Sequence, residues 1–170
     1  MTSIRHRLLI DECLPPKLIT AYLKSHIGLS GDGVDAVHIK VYLGGGKKDP
    51  EWVPKIAKDR RWCVLSEDRG SHSARHDALP IVCFEYGVTL IRLSSPVVKK
   101  KITFYGPQIL ANWPSIMGAL RGPKGAQYLL RQHNTRSTDT HLQAVRAPNG
   151  FTIEKGVLVK QSKVVPSKAR

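Results

Sequence analysis

Two apolar runs in this chain each end in a pair of acids. Leu8, Leu9 and Ile10 lead directly into Asp11 and Glu12, and Cys63, Val64 and Leu65 lead through Ser66 into Glu67 and Asp68. A third acid, Asp49, opens the stretch DPEWVPKIAKDRR between them. Carboxylates taken out of water are costly unless something compensates for them. Two such charges ~4 Å apart repel by about 4 kcal/mol at an effective dielectric of ~20. Three of them at one place would call for protons or a cation. Hard carboxylate oxygens suit Mg²⁺ or Mn²⁺, and Mg²⁺ typically leaves part of its shell to water and substrate phosphates. Metal-assisted chemistry on a phosphodiester is the reaction class that this set could serve.

Each acid also has a plainer explanation. Asp49 suits a helix N-cap, with Pro50 at the first helical position and Glu51 favouring the positive end of the dipole. Asp11 and Asp68 could simply end strands at a wet surface. Along a strand, neighbouring side chains alternate between faces. One acid of each pair is therefore expected to face a common site, and the aspartates are the preferred members.

The surrounding elements decide whether the acids meet. Residues 7–11 read as a buried strand, and PPKLITAYLKSH as a helix that GLSGDG breaks. VDAVHIKV alternates as a second strand, YLGGGKKD reads as a basic loop, and Asp49 begins a helix with Trp52, Val53, Ile56 and Ala57 on its buried side. WCVLS is a further strand, SHSARHDALP a polar loop with a short helix, and VTLIRLSS a strand. PQILANWPSIMGAL reads as helical, and GFTIEKGVLVK as a hairpin or two short strands. QSKVVPSKAR is a basic tail. Strands separated by helices predict an α/β fold with a mainly parallel sheet. In such a sheet the carboxyl ends of the strands share one edge, where ligands bind. A crossover helix begins at that same edge, so Asp49 joins Asp11 and Asp68 there.

Composition restricts the function further. The 170 residues fit one domain with an appendage. No apolar run approaches the ~20 residues of a membrane span, and the opening MTSIRHRLLIDE is interrupted too early for a signal-peptide core. A cytosolic protein without a membrane partner is expected. Cys13, Cys63 and Cys83 are odd in number and widely spaced, which argues against a disulfide framework or a four-cysteine zinc site. The net charge of +14 is unevenly spread: residues 1–98 carry 14 Lys/Arg against 11 Asp/Glu, and residues 99–170 carry 13 against 2. Such a basic surface attracts polyanions, nucleic acid first among them. Lys47 and Lys48, just before Asp49, are candidates to meet backbone phosphates. His72 and His76 have helical spacing but lack the Glu of a zinc-protease motif, and LGGGKKDP does not match a phosphate loop.

LLIDECLPPKL, KKDPEWVPKIAKDRRWCVLSEDRG and WPSIM together resemble the PIN-like domain family, and more narrowly its short group associated with VapC-type toxins. The resemblance covers roughly residues 5–120. It implies a three-layer α/β/α domain over residues 1–131, with residues 132–170 as a basic extension. It further implies a Mg²⁺- or Mn²⁺-dependent ribonuclease in which metal-activated water attacks in line. Asp11, Asp49 and Asp68 match the family's acidic metal ligands. Ser66 matches the small hydroxyl residue before the last Asp, and Arg69 a neighbouring basic position suited to phosphate. Longer PIN domains carry a further acid, a place that Glu12 or Glu67 could take here. The partners implied are RNA, a small antitoxin protein and a second copy of the chain. A rival expectation is a PIN-like scaffold that binds nucleic acid without cutting it.

Overall fold

The computed structural model describes residues 6–31, 33–67, 78–94, 102–131 and 142–161. Strand β1 (His6–Ile10) is followed by a π-helical turn (Ile19–Leu23) that runs into helix α1 (Lys24–Ser30). Then come β2 (Val34–His38), α2 (Ile39–Tyr42), α3 (Asp49–Ala57), β3 (Trp62–Ser66), α4 (Leu79–Glu85) and β4 (Thr89–Leu93). The chain continues through α5 (Ile102–Ala111), α6 (Trp113–Arg121), β5 (Gln127–Leu130), β6 (Leu142–Arg146), β7 (Phe151–Glu154) and β8 (Val157–Lys160).

Six strands form one sheet in the order β2-β1-β3-β4-β5-β6. The first five are parallel, and β6 closes the far edge antiparallel to β5. The alternation of β1, β3 and β4 sends side chains into two separate cores. Leu8, Ile10, Cys63, Leu65, Ile91 and Leu93 pack with Leu18, Leu23, Tyr105, Ile109, Trp113 and Ile116 on one face. Leu9, Val64 and Leu90 pack with Trp52, Val53, Ile56, Leu79, Val82 and Cys83 on the other. Helices thus cover both faces of a mostly parallel sheet, which is the three-layer α/β/α arrangement expected. Strands buried on both sides explain why their sequences read as apolar runs rather than as alternating ones.

The first helix does end within GLSGDG as read: α1 reaches Ser30, and the left-handed Gly31 (φ 65°) ends it. Other local readings need correction. VDAVHIKV is not strand throughout. His38 caps α2 by accepting the Lys40 amide on its ring, so Ile39 to Tyr42 turn helical. The helical stretch before residue 121 is two helices parted at Asn112, with Pro114 in the first turn of the second, where a missing N–H costs least. α5 lies close on the π-helical turn, because a Cβ at Gly106 would come within 2.8 Å of the Tyr22 ring.

β5 and β6 carry no clear strand signal in sequence. QYLL is short, and β6 follows residues outside the description. Neighbouring strands supply what the pattern lacks: β4 pairs with β5 from Leu90–Gln127 to Leu93–Leu130, and β6 then adds to β5. Beyond them, β7 and β8 form a hairpin whose turn meets β6, with the Ala144 amide donating to the Gly156 carbonyl (2.8 Å). Residues 142–161 are therefore tied to the main sheet. The expected polar loop at SHSARHDALP up to Asp77, with His72 and His76, and the basic tail from residue 162 lie outside the described residues.

Candidate active site

β1 and β3 are adjacent and parallel, in register from Arg7–Trp62 to Ile10–Leu65. Their carboxyl ends therefore lie side by side. One step past the paired register, the Asp11 amide donates to the Leu65 carbonyl (3.0 Å). The Ser66 hydroxyl then donates to Asp11 Oδ2 at 2.6 Å. Ser66 is fully buried, and Asp11 is only 8 % exposed. A carboxylate so placed is held by donors on both oxygens: the Glu12 amide reaches Oδ1 (2.6 Å), and the Cys13 thiol reaches Oδ2 (3.1 Å). Charge-assisted hydrogen bonds of this kind hold the side chain in one orientation.

Cys13 completes this knot. Its sulfur lies 3.3 Å from Ser66 Oγ and accepts the Glu67 amide at 3.3 Å. Although part of the residue faces solvent, desolvation of the sulfur, helped by the Asp11 charge, pushes its thiol up to about 12. The thiol therefore stays protonated and acts as a donor to Asp11. Sequence reasoning did not single out Cys13. Its place two residues after Asp11, in a turn closed by the Leu14 amide on the Asp11 carbonyl (3.0 Å), was the available signal. His38 braces the same turn from β2. Its Nδ1 accepts the Lys40 amide, so Nε2 carries the proton and donates to the Leu14 carbonyl at 2.8 Å.

Asp49 is positioned by a different element. It is the first helical residue of α3, and the capping position falls to Lys48, so the N-cap reading was one residue out. The Asp49 side chain instead accepts the Trp52 indole N–H (3.1 Å). Trp52 is buried on the face of the sheet that carries Leu9 and Val64, and this fixes α3 with its acidic start toward the strand ends. Cys83, on α4 over the same face, registers both acids. Burial first of all, then chiefly the negative charge of Asp49 and, less strongly, that of Asp11, push its thiol well up. The Asp11 and Asp49 charges thus both reach the one buried thiol under α4.

The paired glutamates do not share one fate. Glu12 turns outward, accepts the Gly46 amide (3.1 Å) and meets Lys40 Nζ at 3.2 Å. The Gly46 amide, then Lys40, hold its carboxyl below the ordinary range. It clamps the glycine loop, where Gly44 and Gly46 have φ of 80° and 75°, rather than joining Asp11. The Glu67 amide is engaged by Cys13, and its charge falls on Tyr105. Lys47 and Lys48 are exposed on the loop leading to Asp49. Asp68 and Arg69 lie outside the described residues. Among the described residues no group of three or more His, Cys, Asp or Glu converges to hold a metal. Asp11 and Asp49 nevertheless carry the hard oxygens that a divalent cation takes; on Asp11, Oδ2 accepts two hydrogen bonds, while Oδ1 accepts one and keeps a further lone pair.

A mostly parallel sheet between two helical layers sets Asp11 at its carboxyl edge, the edge where ligands bind in open α/β sheets. Residues 7–82 match the family model of a PIN like domain. The matched span runs from β1 into α4 and contains Asp11, Asp49, Ser66 and Asp68. No match came from the curated proteins, and none from the solved structures. PIN-like domains are commonly nucleases that use divalent metals. No helix among the described residues is long and apolar enough to cross a membrane.

Proposed function

We propose that this protein is a Mg²⁺- or Mn²⁺-dependent endoribonuclease, acting as the toxin of a toxin–antitoxin pair. The observation that supports the chemistry is the buried Asp11 carboxylate, oriented by Ser66 at the carboxyl edge of the sheet. Asp11 and Asp49 would hold the cation, with Asp68 as the third acid. Bound there, the cation would polarise the scissile phosphate and lower the pKa of an attacking water. The chain's own contribution is to fix that place. Ser66, Cys13 and the Glu12 amide hold the Asp11 carboxylate still, and Trp52 holds Asp49. Glu12 pins the loop that carries Lys47 and Lys48, whose charges favour an incoming polyanion.

The net charge of +14 supports RNA as the partner. A small antitoxin protein and a second copy of the chain are further partners of the same reading. One observation favours the rival reading of a binding module that does not cut: both oxygens of Asp11 already accept protein donors.

The deciding experiment incubates a labelled RNA and a labelled single-stranded DNA with the wild type and with Asp11→Asn, in Mg²⁺, Mn²⁺ or EDTA. The expected result is metal-dependent cutting of RNA that is lost in the variant while its fold survives. Cutting retained in pure Asp11→Asn overturns the site. Steeply salt-dependent binding without cutting, in Mg²⁺ and in Mn²⁺, supports the binding module.

A further inference from the structure

β4 carries one charged residue, Arg92, within the otherwise apolar or neutral run Thr89–Leu93. Its neighbours Ile91 and Leu93 belong to one core and Leu90 to the other. By alternation the Arg92 side chain leaves the sheet on the face of Leu90, Val64 and Leu9. That is the face covered by α3 and α4. The register places Arg92 directly opposite Ser66. Ser66 in turn holds Asp11 on the next strand. Asp11, Ser66 and Arg92 therefore form one cross-strand row at the carboxyl edge of the sheet. With neighbouring strands ~4.8 Å apart, the first and last of the row are roughly 10 Å apart at the backbone.

This row sets an arginine two strands from Asp11 at the carboxyl edge. The side chain is partly buried, and arginine is the residue best matched to a planar, two-pronged hold on a phosphate. A strand of nucleic acid whose reacting phosphate lies at Asp11 passes a neighbouring phosphate, or another oxygen of the same one, over β4. We propose that Arg92 binds a backbone phosphate of single-stranded RNA at this edge. The assignment rests on the nucleic-acid reading above, but it requires no cleavage.

The test measures binding of a fluorescently labelled single-stranded RNA to the full chain in EDTA, over a range of salt. The proteins are the wild type, Arg92→Gln and Arg92→Lys. The glutamine variant is expected to bind about tenfold more weakly, with the slope of log affinity against log salt reduced by about 0.7, one phosphate's share on a single strand. The lysine variant should keep the slope and recover part of the affinity. A folded glutamine variant with unchanged slope and affinity overturns the proposal. Should that variant fail to fold, arginine modification of the wild type by phenylglyoxal, mapped by mass spectrometry, decides instead. Protection of Arg92 by RNA supports the assignment, and equal modification with and without RNA, or none in either, refutes it. Because all of this is read in EDTA, a wild type that never cuts RNA would end the nuclease reading and leave Arg92 separately judged.

Discussion

Ser66 and Asp11, 55 positions apart in sequence, are joined by a 2.6 Å hydrogen bond between two buried side chains. The bond ties the ends of two parallel strands and sets the direction of the carboxylate on which the proposed chemistry depends. It also makes Ser66 as much a part of the fold as of the site.

Ser66→Ala removes a donor from a buried carboxylate. The expected loss is about 1–3 kcal/mol of unfolding free energy, read as a lower urea midpoint at unchanged slope. Ser66→Thr keeps the hydroxyl and should lose less, apart from the strain of one added methyl. A midpoint for Ser66→Ala equal to that of the wild type would mean that Cys13 and the Glu12 amide suffice to hold Asp11.

Asp49 can be separated into its structural and chemical parts. Asp49→Ala strands the indole N–H of Trp52, a residue only 1 % exposed, and should cost about 1–3 kcal/mol. Asp49→Asn keeps an oxygen for that indole and should stay within about 0.5 kcal/mol of the wild type. Both variants should bind Mn²⁺ more weakly by calorimetry, because both lose the charge. Undiminished Mn²⁺ binding in a folded Asp49→Asn would remove Asp49 from the metal site.

Asp59 gives the protein a pH dependence far from that site. Arg61 grips it with Nε at 2.8 Å and Nη2 at 2.7 Å, and holds its carboxyl below the ordinary value of 3.8. The pairing therefore stabilises the fold above that value and is lost as the pH falls through the lower, folded one. The wild type should be modestly more stable than Asp59→Asn near neutral pH. The two should converge in acid, as followed by urea midpoints across a pH series. A difference that persists unchanged into acid would show that the pairing contributes nothing through its charge. High salt should shrink the neutral-pH difference, since the pair lies at the surface.

Much of the architecture was legible because the physical signals were local. Apolar runs ending in acids marked β1 and β3, and the 3.6-residue pattern from Trp52 to Ile56 marked the buried side of α3. Where the signal was non-local it failed. QYLL became β5 because β4 offered it an open edge, not because four residues declare a strand. Glu12 and Asp11 are adjacent and chemically alike, yet one meets Gly46 and Lys40 and the other Ser66 and Cys13. Alternation foretold that they would part, but not what each would meet.

The α/β class and the acidic strand ends follow from the order of residue types along short stretches, and the basic character follows from composition alone. Only the tertiary structure decided the partners. It set Ser66 and Cys13 on Asp11, the Trp52 indole on Asp49, and Arg92 in line with both strand ends. Those choices depend on the register between strands and the seating of helices, which side chains from the whole chain fix together when they pack.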